Sequence, residues 1–318
     1  MQEELKEIEY LSSGDNTMQP AMFFKADDSK EARPLLVGLH TWSYHYKGNF
    51  DAYVKCCQKA NFHFIHPHFR GPNWTKEACG SDLVVADIIS AVEYVKSQVK
   101  VDEQRIYLMG GSGGGHCTLL VSGRAPEIWA ATSAWCPISD IAAWHKECKG
   151  NKIGNCYSEH IELACGGNPF EDENAMKEAI YRSPLTYLKG AENLIVDIST
   201  GIHDGHTGSV PVSQSINAYN VLAAPEDKIS DKDIEYICEK EDIPEHLRWN
   251  DVDPAMGKHV VLLRKSSKKV RLTIFEGGHD LVCPPGVEFL ERQIKGGEPN
   301  WNSGIGKFDL NLETELTK

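Results

Sequence analysis

Three side chains of this sequence have the types and the flanking residues that nucleophilic catalysis requires: Ser112, Asp204 and His279. Ser112 stands in Gly110-Gly111-Ser112-Gly113-Gly114, a Gly-x-Ser-x-Gly pattern. A short apolar run, Ile106 to Met109, leads into it, and an apolar, small-residue segment, His116 to Ser122, leads out. Strand, sharp turn and helix is the setting in which this pattern holds a serine Oγ clear of the backbone. Glycines flank the turn because side chains there would strike the neighbouring strand and helix. The helix start adds N–H groups and partial positive charge for a developing oxyanion. A glycine-rich strand-to-helix turn can also cradle a phosphate. Here no Lys follows the glycines and no Gly-x-Gly-x-x-Gly spacing is present, which argues against a P-loop and a dinucleotide site.

A serine nucleophile needs a base to take its proton, and the base needs an orienting carboxylate. His279 follows Gly277-Gly278, just after the apolar run Val270 to Phe275. Asp204 lies in the Gly-rich segment that follows Leu194 to Thr200. Two other aspartates compete for the orienting role. Asp197 lies inside its apolar run and reads as buried structure, and Asp280 adjoins His279, where neighbouring side chains diverge. His203 and His206 flank Asp204 without acidic or thiol partners at ligand spacing, so no metal is expected. The oxyanion donors are expected from Gly113 N–H and from the loop His40-Thr41-Trp42-Ser43-Tyr44, through Thr41 or Trp42.

The elements that must carry these residues follow from the hydrophobic pattern. Strands are expected at 5–12, 20–25, 34–40, 62–66, 105–109, 129–135, 194–200 and 270–275. Helices are expected at 51–60, 81–99 and 287–294, the second capped by Ser81-Asp82. Strands alternating with helices give an α/β protein, an eight-stranded mostly parallel sheet covered on both faces. Ser112, Asp204 and His279 would then share one rim, at strand C-terminal ends. Their chain order, Ser, Asp, His, is that of an α/β-hydrolase fold.

Composition narrows the classes further. The 318 residues are 41% hydrophobic and 25% charged, as in a globular protein with a full core. A formal net charge of −13 argues against nucleic acid and anionic membrane surfaces as partners. No apolar run reaches the roughly 20 residues that span a bilayer. The N-terminus is acidic and polar rather than a signal peptide, so a cytoplasmic location is expected. The ten cysteines form no C-x-x-C pair, and free buried thiols are the default. A disulfide within 148–165 is the minority alternative.

These segments together resemble the prolyl-oligopeptidase-like branch of the α/β-hydrolases over about residues 34–295. Phe69-Arg70-Gly71, the helix bearing Asp87, Ala91, Val92 and Tyr94, the Ser112 elbow and Arg182-Ser183-Pro184-Leu185 carry the resemblance. So do Val101-Asp102 with Arg105-Ile106, Val210 to Ser215, and Gly278-His279. In the family the acid lies about three residues before Val-Pro. Here Thr207 holds that place and Asp204 lies six before it, which a Gly205-His206-Thr207 insertion would explain. Family peptidases carry a large N-terminal gating domain, whereas about 33 residues precede the third strand here. The resemblance therefore implies a single-domain esterase-like member, residues 1–318 as one domain with cap-like insertions at about 143–180 and 224–268.

The expected activity is that of a serine hydrolase working through an acyl-enzyme, with a small-molecule ester, such as an acylated carbohydrate, as substrate and no cofactor. A serine peptidase or aminoacyl hydrolase is the alternative, and a non-catalytic binding protein on the same scaffold is the second. Trp42, Tyr44, Arg70 and Trp74 are the expected substrate contacts. They belong to two aromatic and polar loops read as rim, which also hold His45, Tyr46, His66, His68 and Phe69. Arg70 has a competing role as a structural ion-pair partner.

Overall fold

The structure, a computed structural model, describes residues 4–150, 155–308 and 313–315. The expectation of a cap-like insertion at 143–180 and the reading of the N-terminus both fall partly outside those residues.

The chain opens with strands β1 (Lys6–Leu11), β2 (Met18–Phe24) and β3 (Arg33–Leu39), then helix α1 (Asp51–Ala60), β4 (His63–Pro67) and α2 (Asp82–Gln98). Next come β5 (Val101–Gly111), α3 (Gly113–Arg124), β6 (Ala131–Trp135), and three helices in succession, α4 (Ile141–Cys148), α5 (Asn155–Cys165) and α6 (Glu173–Tyr181). The remainder is β7 (Ile195–Gly201), α7 (Val212–Leu222), α8 (Asp231–Lys240), β8 (Val261–Ser267), β9 (Val270–Phe275), β10 (Asp280–Val282), α9 (Cys283–Glu291) and β11 (Glu313–Glu315).

Nine strands form one sheet in the order β1-β2-β4-β3-β5-β6-β7-β9-β8. The six from β4 through β9 run parallel, while β1, β2 and β8 pair antiparallel at the edges. The central strands β6, β7 and β9 are buried at every residue, as parallel strands covered on both faces must be. One core layer joins the sheet to α2, α3 and α7 through residues such as Ile88, Leu119 and Ile216. The other joins it to α1 and α9 through Tyr53, Val287 and Phe289. This is the α/β-hydrolase fold.

Two expectations are corrected. The main sheet has nine strands rather than eight, because β8 hides in a charged segment. Its sequence Val-Leu-Leu-Arg-Lys-Ser-Ser alternates only partly, and its charges suit an exposed sheet edge. Helix α9 begins at Cys283, ahead of the expected 287, since Pro284 and Pro285 occupy the first turn, where their missing N–H groups cost nothing. Helix α2 starts as expected, with Ser81 Oγ accepting from Val84 N–H. All ten cysteines are free thiols, so the alternative disulfide within 148–165 is absent. Among the described residues, no helix is long and apolar enough to cross a membrane.

Candidate active site

The turn from β5 into α3 puts Ser112 at φ 56° and ψ −121°, a conformation that costs a non-glycine residue energy. Backbone bonds over-determine it: Ser112 N–H donates to Trp135 O at 2.8 Å, and Ser112 O accepts from His116 N–H at 2.8 Å. Gly113 is required by close approach. A Cβ there would stand 2.5 Å from both N and Cα of Trp42. The elbow therefore lies against the Trp42 backbone. Of the two candidates for the second oxyanion donor, the Trp42 amide is the one at Gly113.

His279 and Asp204 reach Ser112 from two different loops. His279 Nε2 lies 2.9 Å from Ser112 Oγ, and its Nδ1 lies 2.6 Å from Asp204 Oδ2. All three residues are at least 95% buried. Asp204 Oδ1 accepts from Gly205 N–H at 2.9 Å and Val210 N–H at 3.1 Å, which fixes the carboxylate. The six-residue spacing before Val210 is a closed turn: Thr207 N–H and His206 N–H both return to His203 O. Thr207, at the family's usual acid position, is exposed and points its hydroxyl to His203 O. The rival aspartates are engaged elsewhere. Asp197 is buried against Arg271 Nε at 2.8 Å and Ser133 Oγ at 3.1 Å, and Asp280 accepts from Gly278 N–H.

Gly208 belongs to the site and was not singled out in the sequence. A Cβ there would stand 2.4 Å from Asp204 Oδ1 and 2.5 Å from His279 Cβ, so only glycine lets the two loops close. The signal was available as a second glycine, beside Gly205, in the Asp204 segment, but only the tertiary contact gives it meaning.

The expected substrate contacts separate. Arg70 is corrected to a structural role. Its guanidinium donates to both oxygens of Asp87 at 2.8 and 2.9 Å and to both oxygens of Asp15 at 2.7 and 2.9 Å. Burial raises the Asp87 carboxyl, which the neighbouring Arg70 and Ser12 partly offset. Trp42 is 2% exposed and packs edge-on against Trp144 at 4.7 Å. Trp74 is half-buried on His160 at 4.8 Å, and Tyr44 is half-buried against Gly48. Part of the aromatic rim is core: Phe69 is buried and stacks on His40 at 3.9 Å, and His66 is fully buried, whereas His45 is exposed and Tyr46 and His68 are half-buried. Burial lowers His40 to about 3 and His66 to about 4, so both rings are neutral near pH 7.

Described residues of both segments expected as insertions touch the loops that carry the site. From the first, Trp144 donates through Nε1 to Ser209 O at 2.8 Å and packs with Tyr157 against Trp42. From the second, Glu241 accepts from His203 Nδ1 at 2.6 Å, while Glu276 takes Nε2 at 2.7 Å. These two carboxylates, Glu276 first, raise the His203 pKa. The imidazolium thus ties α8 to the segments that hold Asp204 and His279. A histidine with a raised folded pKa contributes stability fully below its unfolded value, about 6.5, and loses it as pH rises through the folded value. His203→Gln is therefore expected to lower Tm most at about pH 5.5, with the gap to the parent closing as pH climbs past the raised value. Thermal melts across pH check this, and a gap that widens with pH contradicts it.

The family model described as the prolyl oligopeptidase family matches residues 49–239, more than half of the chain. The chain is 25% identical over 218 residues to acylamino-acid-releasing enzyme 1 of Oryza sativa subsp. japonica, covering 62% of this chain and 28% of that protein. It thus spans less than a third of that relative's length. Among solved structures, acylaminoacyl peptidase of Pyrococcus horikoshii superposes with a TM-score of 0.60 at 19% identity, over 94% of this chain and 43% of that one. An acylaminoacyl peptidase in complex with Z-Gly-Gly-Phe-chloromethyl ketone gives 0.61 at 20% identity, over 94% and 43%. These structural likenesses establish the fold. With the family model matched across the elbow and the Asp204 loop, the chain belongs to the prolyl oligopeptidase family of hydrolases.

Proposed function

We propose that this protein is a serine hydrolase of acylated aminoacyl or short-peptide amides, acting through an acyl-enzyme at Ser112. The observation that carries the reading is the buried relay of Ser112, His279 and Asp204, at 2.9 and 2.6 Å. Ser112 Oγ attacks the carbonyl while His279 Nε2 takes its proton. Asp204 holds Nδ1 protonated and steadies the imidazolium that forms. The Gly113 and Trp42 amides receive the oxyanion. The same imidazolium then gives its proton to the departing amine, and water repeats the sequence on the acyl-enzyme.

The amide reading is preferred over the ester reading because the chain belongs to a family named for oligopeptidases, and because its curated relatives are named acylamino-acid-releasing enzymes. An amine leaving group must be protonated as it departs, which a buried, oriented imidazole does well.

The test is hydrolysis of N-acetyl-aminoacyl anilides beside aryl acetates and acetylated xylo-oligosaccharides, with Ser112→Ala protein as the blank. Release of anilide at the expense of Ser112 is the expected result. Turnover of aryl or sugar acetates with no anilide release would overturn the amide reading in favour of an esterase.

A further inference from the structure

Cys136 closes β6 and points its thiol under the loop that carries His279. Its φ of 44° is in the left-handed region, which few side chains occupy without compensation. Its N–H donates to Ser199 O at 2.7 Å, holding that conformation. Its Sγ lies 3.5 Å from Asp280 O and 3.9 Å from Gly278 O, the carbonyls on either side of His279. One ligand atom from each of Cys136, Asp204 and His279 falls within 4.8 Å of the others, and all three residues are buried.

We propose that Cys136, Asp204 and His279 form an inhibitory site for a thiophilic divalent cation of the zinc class. The donor set decides the class. Thiolate, imidazole and carboxylate are the ligands zinc takes, with bonds of about 2.3, 2.0 and 2.1 Å, and a solvent oxygen completes a tetrahedron. Magnesium and calcium, which demand several oxygens, do not fit. Charge favours the occupant as well. Two buried anions, thiolate and carboxylate, neutralise the cation, so the filled site carries no net charge.

The proton balance explains the inhibition. The thiol of Cys136 gives its proton to solvent. His279 offers Nδ1 to the metal and keeps its one proton on Nε2. Nε2 can then no longer accept the proton of Ser112. Burial and the charge of Asp204 both hold the Cys136 thiol proton tightly, so zinc binds more strongly as pH rises. Binding depends only on the three side chains, whereas the inhibitory consequence rests on the proposed triad.

The experiment adds Co2+ to the full chain and follows the spectrum. A thiolate-to-cobalt charge-transfer band in the near ultraviolet, with the visible bands of a tetrahedral centre, is expected at one equivalent, and Zn2+ displaces it. Ser112→Ala keeps the band, because Ser112 is not a ligand. Cys136→Ser loses it, and the Zn2+ concentration for half-inhibition rises at least about tenfold, as removal of even an outer partner of a metal ligand does. Zinc X-ray absorption on the parent protein reads the site without a variant: one sulfur at about 2.3 Å beside nitrogen and oxygen is expected. A band undiminished in Cys136→Ser, a sulfur-free zinc shell, or no cobalt binding by the parent each overturns the proposal. Full turnover by Ser112→Ala would sink the triad reading instead and leave the cobalt result standing.

Discussion

Replacing Ser112 with alanine is expected to lower kcat by about a millionfold, toward the rate left by substrate binding and oxyanion donors alone. The reason is specific to this elbow. Ser112 Oγ is the group that meets His279 Nε2, at 2.9 Å, and the Trp42 backbone lies against Gly113 beside it. Removing one hydroxyl leaves the backbone of the turn, its bond to Trp135 O and the core of α3 in place. The variant should therefore fold and melt like the parent. His279→Ala should lose nearly as much turnover, and the double variant little more, because the two act as one unit. Single-turnover kinetics on an anilide, with circular dichroism as the folding control, measure this. Retention of more than about a hundredth of the parent rate in either variant is far outside the expected loss.

Asp204→Asn is expected to cost about 10⁴-fold in kcat with the fold intact. Asp204 Oδ1 accepts two backbone N–H groups, from Gly205 and Val210. In asparagine the carbonyl oxygen must take that place, since an amide NH₂ there would face two donors. The NH₂ is thereby turned toward His279 Nδ1, which becomes an acceptor. The ring proton moves to Nε2, and the imidazole can no longer take the serine proton. The control is Asp197→Asn, which leaves Arg271 buried without its partner. That change should destabilise by roughly 3–5 kcal/mol while the folded fraction keeps its rate. If Asp204→Asn kept its rate and Asp197→Asn lost it, the orienting carboxylate would be reassigned.

The local parts of this account were legible in the sequence because each rests on a short pattern with one physical cause. Gly-x-Ser-x-Gly between an apolar run and a helix leaves few alternatives for Ser112. Gly277-Gly278-His279 after a buried strand is similar. The order of strands and helices then brought both to one rim. What escaped was whatever depends on residues far apart in the chain. Thr41 and Trp42 are adjacent and both buried, and only the approach of α3 places the Trp42 backbone at Gly113. Arg70 read as a substrate contact or an ion-pair partner, and its partners could not be named because they lie 17 and 55 positions away, at Asp87 and Asp15. Phe69 and His66 read equally well as rim or core, and packing against His40 and Phe64 settled them as core. Strand β8 was lost in a run of charges that suit an edge. Cys136 lies 68 positions from Asp204 and 143 from His279 by sequence number, so no spacing pattern could join the three.

The chain spans only part of its relatives' length. It covers 28% of the rice protein and about two-fifths of the solved peptidases, and within that share it contains every group of the relay. The loops bearing Trp42 and His203 are packed by Trp144 and hydrogen-bonded by Glu241.

The most direct test of the central claim is covalent labelling by a fluorophosphonate, followed by peptide mapping in the mass spectrometer. One adduct per chain on Ser112 is predicted, abolished in Ser112→Ala and greatly slowed in His279→Ala. An unlabelled Ser112 in protein that is hydrolysing substrate, or an adduct on any other residue, would contradict it.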